Sequence, residues 1–180
     1  MKINIRALTV AAVIGAAYAV LTMLLAPISY GPLQFRVSEA LCIMPYFLPC
    51  TAWGLFAGCA IANILTGNIF DVIFGSLATL LATLIAAGLG RHSRGFWSRF
   101  AACSANVVIN AVVIGAVITG AYNGQNIFRH MDVFAMNALY IFLGEAGVMY
   151  IIALPLMRYL PEKQFFRDFI EKTNNGRYKE

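Results

Sequence analysis

The sequence predicts an all-α membrane protein, a bundle of six transmembrane helices with both termini in the cytoplasm. Hydrophobic residues make up 61% of the 180 residues and charged residues only 12%, a composition far from that of soluble domains. Several apolar segments also approach the roughly 20 residues that a helix needs to cross the hydrocarbon of a bilayer. The basic residues lie at the ends of these segments, so membrane orientation explains the net charge of +5 better than a nucleic-acid surface does.

Prolines and apolar runs divide the chain into six predicted helices. Predicted helix 1 is retained rather than cleaved, because its apolar run is longer than a signal-peptide core and ends at Pro27. The six ranges are 5–26, 37–48, 52–65, 69–89, 100–122 and 133–160. The second and third are marginally short for full spans, so they either tilt little or pack inside the bundle. Residues 1–160 form the predicted transmembrane domain, and residues 161–180 form a cytoplasmic tail, helical first and disordered from Asn174 onward.

The distribution of Lys and Arg orients these helices. Basic residues concentrate at the N-terminus, in the loop after predicted helix 4 and in the tail. These regions share one side of the membrane only if the number of helices is even. We therefore expect the loops after predicted helices 1, 3 and 5 to be extracellular.

Polar side chains inside hydrocarbon are costly, so their positions are informative. Glu145 lies about 13 residues into predicted helix 6, near the membrane midplane at a rise of about 1.5 Å per residue. It is interpreted either as a ligand contact or as a protonated carboxyl group bonded to a neighbouring helix. Asn137 lies two turns earlier on a similar face, and Asn106 and Asn110 share a face of predicted helix 5. These amides either line one cleft between helices or form hydrogen bonds that hold neighbouring helices together.

The segment of residues 30–39, called the lid segment below, combines aromatic, amide and charged side chains beside the extracellular mouth. Its notable members are Tyr30, Gln34, Phe35, Arg36 and Glu39. This composition predicts a lid over a pocket, although Arg36 and Glu39 are also spaced to pair with each other on a helix. Carboxylates and amides together suit a flat, hydrogen-bonding heterocycle.

Asn63 and Asp71 flank the extracellular turn at residues 66–68. Asp71 is interpreted either as a ligand contact or as the cap of predicted helix 4. Helix 1 also has small residues at the spacing that lets another helix approach closely. They are Ala11, Ala12, Gly15, Ala16 and Ala19.

Several motifs are missing from the sequence. There is no Walker A motif, and neither HExxH nor GxSxG occurs, so we expect no ATP hydrolysis and assign no catalytic residue. The four cysteines lie in apolar stretches without a CxxC pair, so no metal site, cofactor or disulfide framework is expected.

Residues 30–41, 58–63 and 71–81 resemble the QueT family, whose members are substrate-binding S components of energy-coupling factor (ECF) transporters assigned to queuosine precursors. The resemblance covers nearly the whole chain and implies a six-helix S component in the bacterial plasma membrane. It also implies two kinds of partner, a transmembrane coupling subunit that docks on the small residues of helix 1 and two cytoplasmic ATPases. The Met1-Lys2 start differs from the Met-His start of the metal-transporting relatives, which disfavours nickel and cobalt.

The resemblance also implies roles for the polar residues. For a 7-deazaguanine, Glu145 or Glu39 would receive the ring N–H and the exocyclic amine, while Asn110, Asn137 or Gln34 would read the carbonyl edge. Asp71 is the expected partner of a cationic aminomethyl group. The alternatives are an S component for another flat vitamin or nucleobase, and a membrane scaffold or intramembrane enzyme without a transported ligand.

Overall fold

The computed structural model describes residues 5–31, 33–64, 67, 69–124 and 126–174. Every regular element in these residues is helical and none is a strand, so the all-α prediction is confirmed for them. The tail begins as a helix, as expected, and Asn174, where disorder was predicted to begin, is the last residue of this helix. Met1-Lys2, most of the turn at residues 66–68 and the rest of the tail after Asn174 lie outside the described residues.

The helices follow the predicted ranges closely. The first half contains α1 (Ile5–Leu24), α2 (Ala26–Ser29), a 3₁₀ helix (Val37–Ile43) continuing as α3 (Met44–Phe47), and α4 (Thr51–Ile64). A π-helical turn (Asp71–Gly75) then leads into α5 (Ser76–His92), and α6 (Phe96–Val117) ends in a second π-helical turn (Ile118–Tyr122). The last part contains α7 (Met131–Ala146), a π-helical segment (Gly147–Ala153), α8 (Leu154–Tyr159), a 3₁₀ turn (Leu160–Glu162) and α9 (Gln164–Asn174).

Four helices of the described chain are long and apolar enough to cross a membrane. They are Ile5–Leu24, Asp71–His92, Phe96–Ala121 and Met131–Glu162, while Val37–Phe47 and Thr51–Ile64 are shorter apolar helices. Large apolar side chains such as Val13, Leu81, Val108 and Leu139 are about half exposed on the outer faces. Such a surface is unfavourable in water and favourable against lipid tails.

The shorter helix Val37–Phe47 lies in the middle of the bundle. It contacts α1, α5, α6 and the π-helical segment Gly147–Ala153, and nearly all of its side chains are buried. Its apolar residues join Val107 and Met149 in the main core cluster. Of the two alternatives for the second predicted helix, the structure therefore shows packing inside the bundle.

Glycines bring α1 and α4 into close contact. A Cβ atom added to Gly15 would overlap the carbonyl of Gly54, and one added to Gly58 would overlap the carbonyl of Gly15. Three of the small residues of α1 are buried at this crossing, namely Ala11, Gly15 and Ala19. Ala12 and Ala16 instead point away from the bundle and are exposed.

The start of α1, the end of α5 and α9 meet at one end of the bundle, called the basic end below. Arg91, Arg94 and the α9 residues Glu171 and Asn174 border one cavity there. Phe166 of α9 packs edge-on against Phe47, with ring centroids 5.4 Å apart. The start of α1, the end of α5 and α9 thus lie at the same end of the described bundle, while the side of the membrane that this end faces stays a prediction.

Candidate functional site

Two buried carboxylates meet in the middle of the bundle. The side-chain amide of Asn106 donates to Oε2 of Glu39 at 3.2 Å and to Oε2 of Glu145 at 3.4 Å. All three residues are at most 3% exposed. Glu39 comes from the central 3₁₀ helix, Asn106 from α6 and Glu145 from α7. We call Glu39 and Glu145 the carboxylate pair.

Glu39 has two further partners. The hydroxyl of Tyr18 donates to its Oε1 at 2.5 Å, and the thiol of Cys42 donates to its Oε2 at 3.1 Å. Three donors from α1, α6 and its own helix therefore hold this carboxylate. Such saturation compensates part of the desolvation cost of an acid in the core.

Arg36 is buried near the pair but does not form an ion pair with it. Its Nε donates to the carbonyl of Ser29 at 3.3 Å, and its guanidinium lies over the ring of Tyr30, 5.4 Å from the centroid. Both carboxylates are within electrostatic range of the guanidinium. The expected alternative, simple pairing of Arg36 with Glu39, is not what the described residues show.

Two amide atoms at the pair lack hydrogen-bond partners among the described residues. They are Oδ1 of Asn106 and Nδ2 of Asn110, and both side chains are buried. Asn110 lies beside Glu145, but its Nδ2 does not reach hydrogen-bonding geometry with any described residue. A buried polar atom left unpaired costs about 1–3 kcal/mol. A ligand that supplies one donor and one acceptor here would recover that free energy.

The lid segment is closed onto α7 above Glu145. A Cβ atom added to Gly144 would overlap the carbonyl of Leu33, and one added to Gly147 would lie 2.9 Å from Cε2 of Phe35. Between these contacts Gln34 has a φ of 44°, in the left-handed region that residues other than glycine rarely adopt. The lid segment is therefore held tightly, at the cost of local backbone strain.

Three π-helical segments of the described chain lie at or beside predicted site residues. Asp71 begins the first, the second contains Thr119, which bonds to Asn137, and the third begins two residues after Glu145. Such insertions into α-helices occur frequently at functional sites, because they rotate side chains out of the regular helical register.

Asn63, Asp71 and Tyr30 lie on the lid side of the pair. Nδ2 of Asn63 donates to the carbonyl of Asp71 at 3.0 Å and to Sγ of Cys59 at 3.4 Å. Cys59 also accepts from Tyr18 at 3.6 Å, which connects this group to the carboxylate pair. The hydroxyl of Tyr30 donates to the carbonyl of Ala62 at 2.7 Å.

Asn137 is not part of this network. Its Nδ2 donates to the hydroxyl of Thr119 at 3.0 Å, and its side chain is half-buried. This bond links α7 to the π-helical turn that follows α6. The structure thus shows Asn137 in the interhelical role that the sequence left open.

Sequence reasoning missed Tyr18 and left Asn106 undecided. Tyr18 lies on the stripe of α1 that also contains Ala11, Gly15 and Thr22, a helical spacing that marks the buried face. A hydroxyl on that face needs a polar partner inside the bundle. This requirement could have indicated from the sequence that Tyr18 bonds to a buried polar group.

Comparisons with known proteins agree on one family. A family model described as QueT transporter matches residues 8–162. The queuosine precursor transporter QueT of Lactococcus lactis subsp. cremoris (strain MG1363) is 44% identical over 72 residues, which are 39% of this chain and 43% of that protein. The aligned region is therefore less than half the length of this relative. No solved structure matches the chain.

Proposed function

The chain belongs to the QueT transporter family, and from that premise we propose that it captures a queuosine precursor, a 7-deazaguanine, from outside the cell. Membership of a transporter family makes it a multi-pass membrane protein with a transport role rather than an enzyme. The Lactococcus relative is named for the transport of queuosine precursors.

The observation that supports this ligand best is the carboxylate pair bridged by Asn106. The edge of a guanine-like ring presents a ring N–H and an exocyclic amine side by side, and a carboxylate accepts two such parallel donors. The unpaired Oδ1 of Asn106 and Nδ2 of Asn110 offer an acceptor and a donor next to them. Glu39 or Glu145 would therefore bind the amine edge, and Asn110 the carbonyl edge.

Other predicted residues would act at the rim of the site. Gln34 and Phe35 lie in the part of the lid segment that contacts α7, and Arg36 of the same segment lies over the ring of Tyr30. Asp71, beside Asn63, would pair with the cationic group of an aminomethyl precursor. Asn137 is a weaker candidate, since it bonds to Thr119 instead.

Entry of the ligand requires the lid segment to leave α7. The backbone of Leu33 covers Gly144, next to Glu145 in the chain, so no ligand passes there while the contact persists. The strain at Gln34 lowers the free energy needed for opening, because release of the left-handed backbone recovers part of its cost.

The transport step would use the machinery of ECF transporters. In this proposal the chain is a six-helix S component with both termini in the cytoplasm, residues 1–160 in the membrane and residues 161–180 as its tail. A transmembrane coupling subunit would dock on the exposed Ala12 and Ala16, and two cytoplasmic ATPases would supply the energy. The exposed small residues support this docking surface, because they let another helix approach closely.

Calorimetric titration of the purified chain tests the ligand. Queuosine-precursor deazaguanines are titrated in parallel with guanine, a pterin and thiamine. We expect tight binding of a deazaguanine and weaker binding of the other three. Tighter binding of a control would keep the transport role and change the substrate class, whereas no binding by any compound to folded protein would contradict the proposed site.

A further inference from the structure

The basic end contains a cavity of about 630 Å³, at the end of the bundle away from the lid segment. It is bordered by the start of α1, the connection between α3 and α4, the end of α5 and the last residues of α9. Arg91 and Arg94 supply two positive charges, Glu171 supplies one negative charge, and His92 lies beside them. The lining therefore has an excess of positive charge and favours an anion.

An apolar groove of about 230 Å³ leads out of this cavity along the outer surface, between α4 and α5. Its walls include Trp53, Leu84, Ala87 and Gly88. Three residues border both spaces, namely Pro49, Cys50 and Arg91. The cavity and the groove thus adjoin at these residues, and together they form a depression with a charged end and an apolar end.

The depth of the two parts matches the layers of a bilayer. Arg91 lies at the end of the apolar helix Asp71–His92, the position at which a membrane-spanning helix would meet the headgroups. Leu84 lies seven residues earlier, which is about 10 Å deeper at the rise of an α-helix. Trp53, with 62% of its surface exposed, lies beside the groove as an aromatic side chain typical of this boundary.

We propose that this depression binds one anionic phospholipid, with its phosphodiester between Arg91 and Arg94 and one acyl chain in the groove. Arginine donates two parallel hydrogen bonds to phosphate oxygens, and basic pockets between helices at a membrane surface attract anionic headgroups. Arg91 alone would be explained by the negative C-terminal end of α5. Arg94 lies beyond that end, and the helix dipole does not explain the apolar groove.

The two tryptophans of the chain provide a direct probe. Trp97→Phe leaves Trp53 as the single reporter beside the groove. The full chain with this substitution is reconstituted into phosphatidylcholine vesicles that contain a small fraction of phosphatidylglycerol with brominated acyl chains, or the same fraction of brominated phosphatidylcholine. Bromine quenches tryptophan emission at contact range, so we expect stronger quenching by the brominated anionic lipid.

Substitutions of the arginines test the headgroup site. Arg91→Gln and Arg94→Gln should each reduce the preference for the anionic lipid about fivefold, the effect typical of one basic residue near a membrane surface. The matched control is Lys163→Gln with Arg167→Gln, which removes two exposed positive charges near the same end but outside the cavity. An equal loss of preference in this control would mean that the general surface potential attracts the lipid, and would overturn the proposal.

Gly88→Leu tests the groove without changing charge. Nothing lies within 4 Å of a Cβ atom added at Gly88, so the leucine fits the fold and occupies the place of the acyl chain. We expect unchanged helical content by circular dichroism and loss of the selective quenching. Equal quenching by the two brominated lipids in the Trp97→Phe protein without further substitution would overturn the proposal. Abolition of the preference by millimolar inorganic phosphate would also overturn it, because the cavity would then bind the free anion.

Discussion

Asn106 is the residue that connects the two buried carboxylates. Its single NH₂ group donates to both of them, so neither acid has this donor to itself. Arg36 balances charge at longer range without forming an ion pair. Glu39 has further donors in Tyr18 and Cys42, whereas a buried acid such as Glu145 is costly unless more donors reach it. This arrangement is why we propose a ligand that donates hydrogen bonds to the pair.

Glu145→Gln and Glu39→Gln should each weaken deazaguanine binding about ten- to a hundredfold, the range expected when a hydrogen bond to a charged group is lost. Glutamine preserves the volume but offers one acceptor oxygen and adds an NH₂ group that opposes the donors of the ligand. Calorimetric titration measures the change in dissociation constant.

Glu162→Gln is the matched control, because Glu162 is exposed and follows α8, away from the pair. It should bind the ligand as the parent chain does. Equal affinities for the parent and both core variants would remove the carboxylate pair from the binding site.

At the residue scale, the sequence marked the buried acids as unusual but did not predict which side chains would donate hydrogen bonds to them. The positions of Glu145 and Asn110 in apolar helices mark them as unusual, because polar groups in hydrocarbon need a reason. The bridging by Asn106 depends on the rotation of α6 against the central helix. Tyr18 lies on α1, which contains none of the predicted ligand-binding residues. Neither contact follows from local sequence.

At the scale of elements, glycines set how closely the lid segment approaches α7. Gly144 and Gly147 form one face of α7 and its π-helical extension, and the backbone of Leu33 and the ring of Phe35 lie directly on them. Any side chain larger than hydrogen at Gly144 would need the lid segment to move. In the proposed function, this contact is the one that would control access to the carboxylate pair.

Gly144→Ala should lower the free energy of unfolding by about 1–3 kcal/mol, the cost of overpacking in a tight contact. The physical reason is the overlap of the new methyl group with the carbonyl of Leu33. Thermal unfolding in detergent, followed by circular dichroism, measures the change.

Gly88→Ala serves as the comparison, because the space around Gly88 is open. It should leave the midpoint unchanged or raise it, since alanine is favoured over glycine in a helix by about 0.5–1 kcal/mol. Identical midpoints for the two variants would show that the lid segment does not pack against Gly144 as described.

The helix boundaries were largely predictable, because prolines and apolar runs mark them locally. Predicted helix 3 began at residue 52 and α4 begins at Thr51. The π-helical segments were not predictable, since Gly147–Ala153 has the same apolar composition as its neighbours. Their register is determined by tertiary packing rather than by propensity. For Val37–Phe47 the sequence left two alternatives, a span with little tilt and packing inside the bundle. The short length of this helix is compatible with both.

At the scale of the whole molecule, α1 has two different surfaces. Ala11, Gly15 and Ala19 are used inside the chain, where α4 crosses them. Ala12 and Ala16 form a row of small side chains on the outer surface, one helical turn apart. On α1, only this outer row is free to receive another subunit. The proposed docking surface is therefore narrower than the set of five small residues that the sequence indicated.

Ala12→Leu with Ala16→Leu should abolish co-purification with a transmembrane coupling subunit and leave ligand binding unchanged. The added side chains keep the two helices apart, while the carboxylate pair lies on the inner side of the bundle. Affinity purification from cells that also express an ECF coupling module, followed by calorimetry, measures both properties.

Ala135→Leu adds one such leucine on the exposed face of α7 and should retain the complex. If the double variant on α1 also retained it, the coupling subunit would have to dock elsewhere. Loss of ligand binding in the double variant would instead indicate a disturbed bundle.

The enclosure of Val37–Phe47 has a consequence for biosynthesis. This early segment is surrounded by α1, α5, α6 and Gly147–Ala153, so its last neighbour leaves the ribosome more than a hundred residues after it. Until then, Glu39 has no access to its Asn106 donor, which is synthesised 67 residues later. Glu39 therefore lacks its Asn106 donor while the first hundred or so residues are synthesised, and the enclosure of this helix is completed only after Gly147–Ala153 has been made.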